Sequence, residues 1–161
     1  ITIFIIKGIG MLSAYQKQLV QYSFKKVAPI ADDAAAIFYA KLFEYDPKLK
    51  ALFKSDLRSQ GKKLMMTLGI AVKGLDNLDE LVPVLEQLAR KHIDYSVSVD
   101  DYTPVGNALL YTLKTGLGDD FTPECRKAWV ITFKAIADVM RTAAYPSFDP
   151  ATYKNVKYYH K

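Results

Sequence analysis

The chain has 161 residues, of which half are hydrophobic, a formal net charge of +5 and a single cysteine. This length and composition predict one folded domain that buries a sizeable core without disulfides or structural metals, and they argue against intrinsic disorder. One cysteine cannot form an intrachain disulfide, so the chain suits a reducing compartment and we expect a cytoplasmic protein. The basic residues are scattered in short pairs, which argues against a nucleic-acid partner.

The first ten residues, ITIFIIKGIG, form an apolar run that does not begin with methionine. A transmembrane helix needs about 20 apolar residues, so this run is too short to span a membrane. It also lacks the basic start of a signal peptide. We therefore expect residues 1–12 to be an extension, and Met11 to be the natural start of the protein.

From Ser13 onward the apolar residues recur at helical spacing, which predicts an all-α fold. Ser13 and Gln16 have the pattern of a capping box at the start of the first helix, which is predicted to end before Pro29. The later predicted elements are a helix at 33–44, a short helix opened by Asp46-Pro47, a polar connection at 55–59, a helix ended by Gly74, a helix carrying His92, a helix ended by Gly118 and a last helix that begins after Thr122-Pro123 and ends near Ala144.

The histidine His92 ends an apolar helical stripe formed by Leu81, Leu85 and Leu88, so its side chain is predicted to point into the core. Two interpretations fit this helix. His92 is either a core histidine hydrogen-bonded to a carbonyl or a ligand of a metal or haem, because neutral imidazole is the commonest metal ligand. No Cys/His pair has zinc spacing, so a four-ligand zinc site is excluded and a single axial ligand to a macrocycle remains.

The order of these helices, with one inward histidine, resembles a globin. Phe53 matches the phenylalanine that stacks on haem in that family, and Gln60 and Leu64 match its two distal positions. His92 follows Leu64 by 28 residues and matches the proximal iron ligand. Further similar stretches are Lys91-His92, Tyr95, Val97, Tyr102-x-x-Val105-Gly106, Leu109-Leu110, Phe121-Thr122-Pro123 and Ala128-Trp129. The resemblance covers residues 13–144 and implies a globin fold of about seven to eight helices around a haem pocket.

Within the family, Phe38-Tyr39 and Gln60 are similar to the distal tyrosine and glutamine of bacterial single-domain haemoglobins and of the haem domain of flavohaemoglobins. Neuroglobin has a histidine at the position of Gln60. The resemblance therefore implies His92 as the iron ligand, with Tyr39, Gln60 and Leu64 around the gas ligand. The haem contacts that it implies are Phe53, Lys63, Leu64, Val97, Tyr102 and Val105.

Each of these residues has an ordinary alternative. Phe53 and Leu64 also suit a plain core, Lys63 suits a solvated surface, and a buried Tyr39 would hydrogen-bond a carbonyl. Their joint occurrence at globin separations favours haem. The sequence has no C-x-x-C-H, so the implied cofactor is haem b, bound without covalent attachment.

The sequence departs from the flavohaemoglobin pattern at one position on the proximal side of the implied haem. Flavohaemoglobins carry a glutamate late in the last helix that forms a hydrogen-bonded triad with the proximal histidine and a tyrosine matching Tyr102. This chain has Ala144 at that position. Because such partners tune the basicity of the ligand, strongly electron-donating or peroxidase-like chemistry is not expected.

We divide the chain into an extension at 1–12, a globin domain at 13–145 and an aromatic, basic tail at 146–161 that either packs on the last helix or docks a partner. The implied function is reversible O2 binding, for oxygen transport, storage or scavenging, with O2, NO and CO as ligands. The alternatives are a nitric oxide dioxygenase served by a separate reductase and a gas-sensing module. Whether the protein is an enzyme and which oligomeric state it adopts stay open.

Overall fold

The computed structural model describes residues 12–157, which form six α-helices and no β-strand. The helices are α1 (Ala14–Val27), α2 (Ala31–Tyr45), α3 (Leu57–Lys73), α4 (Leu78–Asp94), α5 (Tyr102–Leu117) and α6 (Pro123–Ala144). Short 3-10 helices at Ala28–Ile30, Pro47–Leu52, Gly74–Asp76, Val99–Asp101 and Gly118–Asp120 connect them. The all-α prediction is confirmed. No helix within this range is long and apolar enough to cross a membrane, and the predicted extension at 1–12 lies almost wholly outside the described residues.

Two predicted elements differ from the structure. The count of six α-helices in 12–157 is below the seven to eight expected, because the short helix opened by Pro47 is a 3-10 helix of six residues. The prediction of a polar connection at 55–59 is wrong for residues 57–59, because α3 already begins at Leu57. The Asp56 carboxylate accepts hydrogen bonds from the backbone N–H groups of Arg58 and Ser59, both at 3.3 Å, and so starts the helix early.

Several helix boundaries agree with their predicted local signals. The Ser13 hydroxyl accepts a hydrogen bond from the Gln16 backbone at 3.0 Å and the Gln16 side chain accepts one from the Ser13 backbone at 2.9 Å, which confirms the capping box. Thr122 caps α6 through the Cys125 backbone N–H. Gly118 ends α5 with a φ of 55°, a left-handed conformation that glycine adopts without strain.

The core consists of three apolar clusters. The first contains the fully buried Trp129, whose indole N–H donates to the Ser23 hydroxyl at 2.8 Å and joins α6 to α1. The second packs α4 against α6, and the third packs α2 against α5. Helix α5 contributes to all three, and at its start Tyr102 packs on the second cluster and Val105 on the third. Residues on one turn of α5 therefore connect two regions of the core.

Helices α2 and α3 cross closely at Gly61. A Cβ atom added to Gly61 would lie only 2.7 Å from the Cβ of Ala35 and 3.6 Å from the Cε2 atom of Tyr39. Real Cβ atoms do not approach each other this closely, so the crossing requires glycine. The crossing holds α3 beside the ring of Tyr39.

Candidate functional site

The imidazole of His92 lies in the last turn of α4 and is half-buried. Its Nδ1 is 2.8 Å from the backbone carbonyl oxygen of Leu88, one helical turn earlier. A carbonyl only accepts, so Nδ1 carries the proton and Nε2 holds the free lone pair. Burial lowers the pKa of His92, and the hydrogen bond to Leu88 offsets part of this shift. The ring is therefore a neutral imidazole, the form that binds metals.

The ring of Tyr102, the first residue of α5, stacks on His92 with centroids 6.2 Å apart. Its hydroxyl is buried and has no hydrogen-bond partner among residues 12–157. Ala144 is buried in the cluster on which Tyr102 packs, and its methyl group offers no acceptor. Burial is the main cause that raises the pKa of Tyr102, so the phenol stays protonated.

Val97 lies in the loop that follows α4. Its backbone N–H donates to the His92 carbonyl oxygen at 3.1 Å, and its own carbonyl oxygen accepts a hydrogen bond from the Tyr145 hydroxyl. The loop thus folds back onto the end of α4. This arrangement keeps Val97 close to the backbone of His92.

Tyr39, on α2, is the centre of a second group. It is only 5% exposed, and three phenylalanine rings surround it: Phe38 at 5.0 Å, Phe53 at 5.3 Å and Phe43 at 6.0 Å between centroids. Leu64 and Val105 pack against the same apolar cluster. Burial raises the pKa of Tyr39 to about 12, so its hydroxyl keeps its proton and can donate a hydrogen bond.

Gln60 and Lys63 lie on α3, which also carries Leu64. Gln60 is half-buried, and its carbonyl oxygen accepts a hydrogen bond from the Ser55 hydroxyl at 3.3 Å. The NH2 end of the amide is then the donor that Gln60 can offer to a ligand. Lys63 is exposed one residue before Leu64, with its side chain largely in solvent.

The structure therefore brings the predicted residues into two groups. His92, Tyr102 and Val97 form one, while Tyr39, Phe53, Leu64 and Val105 form the other. Tyr102 and Val105 are one turn apart on α5 and join the groups. Gln60 and Lys63 are related to the second group through their position on α3 beside Leu64.

The donor set constrains what the site can hold. Within the described part of the chain, no cluster of three or more His, Cys, Asp or Glu side chains could bind a metal ion. A single neutral imidazole among aromatic and aliphatic side chains does not suit a bare ion, which needs several protein ligands. The same set fits a flat macrocycle that supplies the other metal ligands itself, as haem does.

A carbonyl partner for His92 was one expectation from the sequence, but the contacts of Arg141 and Tyr145 behind it were not anticipated. The Leu88 carbonyl lies four residues before His92 and was recognisable from helical geometry, because residues at i and i+4 adjoin. Arg141 and Tyr145 gave no local signal, since they bond residues 42 and 48 positions away, Val99 and Val97. Only tertiary folding brings them to the loop behind the histidine.

Comparison with protein families matches residues 36–140 to the Globin model. Among curated relatives, the flavohemoprotein of Halalkalibacterium halodurans is 29% identical over 131 residues, which make up 80% of this chain and 32% of that protein. The flavohemoprotein of Oceanobacillus iheyensis is 34% identical over 105 residues, 63% of this chain and 26% of that protein. The neuroglobin of Chaenocephalus aceratus is 28% identical over 143 residues, 80% of this chain and 90% of that protein. The chain thus spans about a third or less of the length of these flavohemoproteins.

Among solved structures, a hexacoordinated heme protein from an anhydrobiotic tardigrade, crystallised at pH 4, superimposes with a TM-score of 0.76 and 21% identity, covering 83% of this chain and 96% of that one. At this identity the likeness concerns the fold. The family model, by contrast, matches more than half of the sequence. The chain therefore belongs to the globin family.

Proposed function

We propose that this protein binds one haem b without covalent attachment, with His92 as the protein ligand to iron, and that it binds O2 reversibly. The observation that carries the proposal is that a chain of the globin family presents a single neutral imidazole, His92, whose Nδ1 is engaged by Leu88 at 2.8 Å and whose Nε2 is left for a metal. Relatives named neuroglobin and flavohemoprotein support it. Haem, when bound, supplies a ferrous iron that takes up O2, CO or NO.

The residues around His92 prepare it for this role. The hydrogen bond from Nδ1–H to the Leu88 carbonyl fixes the tautomer and raises the basicity of Nε2. The stacked ring of Tyr102 restricts rotation of the imidazole. Phe53, Leu64, Val97 and Val105 would cover the apolar faces of the macrocycle and exclude water, and Lys63 would pair with a propionate from the solvent side.

Tyr39 and Gln60 would select the gas. Both side chains can donate a hydrogen bond, and O2 would gain more partial negative charge on binding than CO would. A hydrogen bond to a charged group contributes about 1.5–3 kcal/mol. Tyr39 is well suited because it is buried among phenylalanine rings and keeps its proton. This pair would therefore strengthen the binding of O2 more than that of CO.

The plain alternative is that His92 is an ordinary core histidine. Its hydrogen bond to a carbonyl fits that alternative equally well, so the hydrogen bond does not separate the two; membership of the globin family favours the ligand. Visible spectra of the purified protein in ferric, ferrous, CO-bound and oxygenated states test the proposal. We expect a haem Soret band that shifts with CO and with O2, and that returns to the ferrous form when O2 is removed. A colourless protein that takes up no added haem would contradict it.

A second candidate function is nitric oxide dioxygenase activity, which the relatives named flavohemoprotein favour. In that case the haem held by His92 would supply the chemistry that converts NO and O2 to nitrate, and a separate reductase would have to supply the electrons. The pocket residues would be the same as for reversible O2 binding. The two functions differ in whether sustained turnover occurs when an electron donor is present.

A further inference from the structure

The loop that joins α4 to α5 is bonded at four of its residues by side chains from the C-terminal part of the chain. Residues 97–101 follow the helix that carries His92 and directly precede Tyr102. Four side chains from α6 and the residues after it bond this loop. They are Tyr145 on the Val97 carbonyl, Arg141 on the Val99 carbonyl, Tyr153 on the Asp100 carboxylate and Lys157 on the Asp101 carboxylate.

Arg141 is the most buried member of this set, with only 7% of its surface exposed. Its Nε donates to the Val99 carbonyl at 2.8 Å and one terminal nitrogen donates to the Thr103 hydroxyl at 3.2 Å. No carboxylate among residues 12–157 forms an ion pair with it. A buried charge is costly unless it is well solvated by the protein, so such an arginine needs a compensating environment.

Aromatic rings supply that environment. The guanidinium carbon lies 4.7 Å from the ring centroid of Tyr153, 5.4 Å from that of Tyr102 and 5.8 Å from that of Phe148. Cations are attracted to aromatic faces at these distances, more strongly when water is excluded. Tyr102 therefore contacts Arg141 and also stacks on His92. One side chain separates a buried positive charge from the imidazole.

We propose that Arg141 is a positioning residue for His92: together with Tyr153 it clamps the 97–101 loop and the ring of Tyr102, and so fixes the orientation of the imidazole toward haem. This inference rests on the proposed function. It also assigns the charge a role, because a buried cation separated from the iron ligand by one side chain would stabilise the ferrous form, which carries one positive charge less than the ferric form. Arg141 thereby raises the reduction potential of the bound haem.

The effect of Arg141 on the orientation of the imidazole and its effect on the reduction potential can be separated by substitution. Arg141→Met removes the charge and the hydrogen bonds while keeping an apolar side chain of similar reach. Arg141→Lys keeps the charge but loses the planar fork that bonds Val99 and Thr103 together. Arg126→Met is the matched control, since Arg126 is an exposed arginine on the same helix. Tyr153→Phe removes only the hydroxyl that bonds Asp100, and therefore loosens the clamp with little risk to folding.

The readouts are the iron–histidine stretching band of the ferrous protein by resonance Raman and the ferric/ferrous midpoint potential. We expect Arg141→Met to broaden the band, move it to lower frequency and lower the potential. Arg141→Lys keeps the charge, so its midpoint potential should match that of the unsubstituted protein while its iron–histidine band shifts as in Arg141→Met. Tyr153→Phe should move the band slightly to lower frequency. Arg126→Met should change neither the band nor the potential.

An unmoved band and potential in haem-loaded Arg141→Met would overturn the inference. If that variant does not fold or load haem, an unmoved band in Tyr153→Phe overturns it instead. If the unsubstituted protein shows no iron–histidine band, the proposed function itself is contradicted. If the band is present but does not move in the variants, only the role of Arg141 is contradicted.

Discussion

The rings of His92 and Tyr102 lie 6.2 Å apart between centroids, with their planes inclined by 24°. The two residues are on different helices, so this contact joins the end of α4 to the start of α5. It uses the ring of Tyr102 alone, because the hydroxyl has no hydrogen-bond partner in the described chain. The ring and the hydroxyl of Tyr102 should therefore have separate effects on stability.

Replacing Tyr102 with Phe should leave the stability of the protein unchanged or increase it. The substitution keeps the stacked ring and removes a buried, unsatisfied hydroxyl, whose burial costs about 1–3 kcal/mol. Tyr102→Ala removes the ring as well and should lower the free energy of unfolding by about 3–5 kcal/mol. Urea unfolding followed by circular dichroism measures both. A loss of more than 1 kcal/mol in Tyr102→Phe would mean that the hydroxyl has a partner after all.

Replacing Gly61 with Ala should destabilise the protein. The new methyl group would meet the Cβ of Ala35 at 2.7 Å, and neither helix backbone can yield easily. Overpacking costs about 1–3 kcal/mol, which exceeds the gain of ~1 kcal/mol from the better helix propensity of alanine. Gly69→Ala, on the same helix, is the control: its Cβ would touch the ring of Phe24 at 3.4 Å, an ordinary contact, so this change should be neutral or stabilising. Equal effects of the two substitutions in thermal unfolding would rule out a tight crossing at Gly61.

Local signals explain which parts of the fold were predictable. The capping box at Ser13, the restart at Thr122-Pro123 and the end of α5 at Gly118 depend on neighbouring residues, and all three agree with the structure. The start of α3 was misplaced because four of the five residues at 55–59 are polar, and polarity does not show that Asp56 serves as a helix cap.

The site was predictable only to the extent that it follows helical spacing. The stripe ending at His92 and the family resemblance pointed to the residues in the two groups. Arg141 was not anticipated, because an arginine is normally placed at the surface and its burial depends on rings that lie far away in sequence or beyond the last helix. Its role follows from tertiary contacts that no local pattern encodes.

Tyr39 should be the main barrier to O2 escape. Tyr39→Phe keeps the ring in its aromatic surroundings and removes the donor, so O2 dissociation should become about ten- to a hundredfold faster while CO dissociation changes much less. Gln60→Leu should act in the same direction more weakly. Because burial raises the pKa of Tyr39 to about 12, the parent rate should stay constant from neutral pH to pH ~10. Stopped-flow measurement of O2 and CO dissociation tests this, and an O2 rate within twofold of the parent would show that Tyr39 does not contact the ligand.

Nitric oxide chemistry should be limited by electron supply. Conversion of NO and O2 to nitrate leaves the iron ferric, so each turnover consumes one electron. We expect a rapid single turnover when the oxygenated ferrous protein meets NO, and continued nitrate formation only after a reductase with its electron donor is added. Nitrate produced over many cycles without any reductant would be inconsistent with this account.

The most direct test of the central proposal, that His92 ligates haem iron, is the Soret spectrum of the ferrous CO complex in His92→Ala. The imidazole of His92 is the one neutral nitrogen donor that the described site presents, and its hydrogen bond to the Leu88 carbonyl leaves Nε2 without the proton. We predict that the substitution abolishes the Soret band typical of a histidine-ligated globin, and that added free imidazole restores it. An unchanged spectrum in His92→Ala would contradict the assignment.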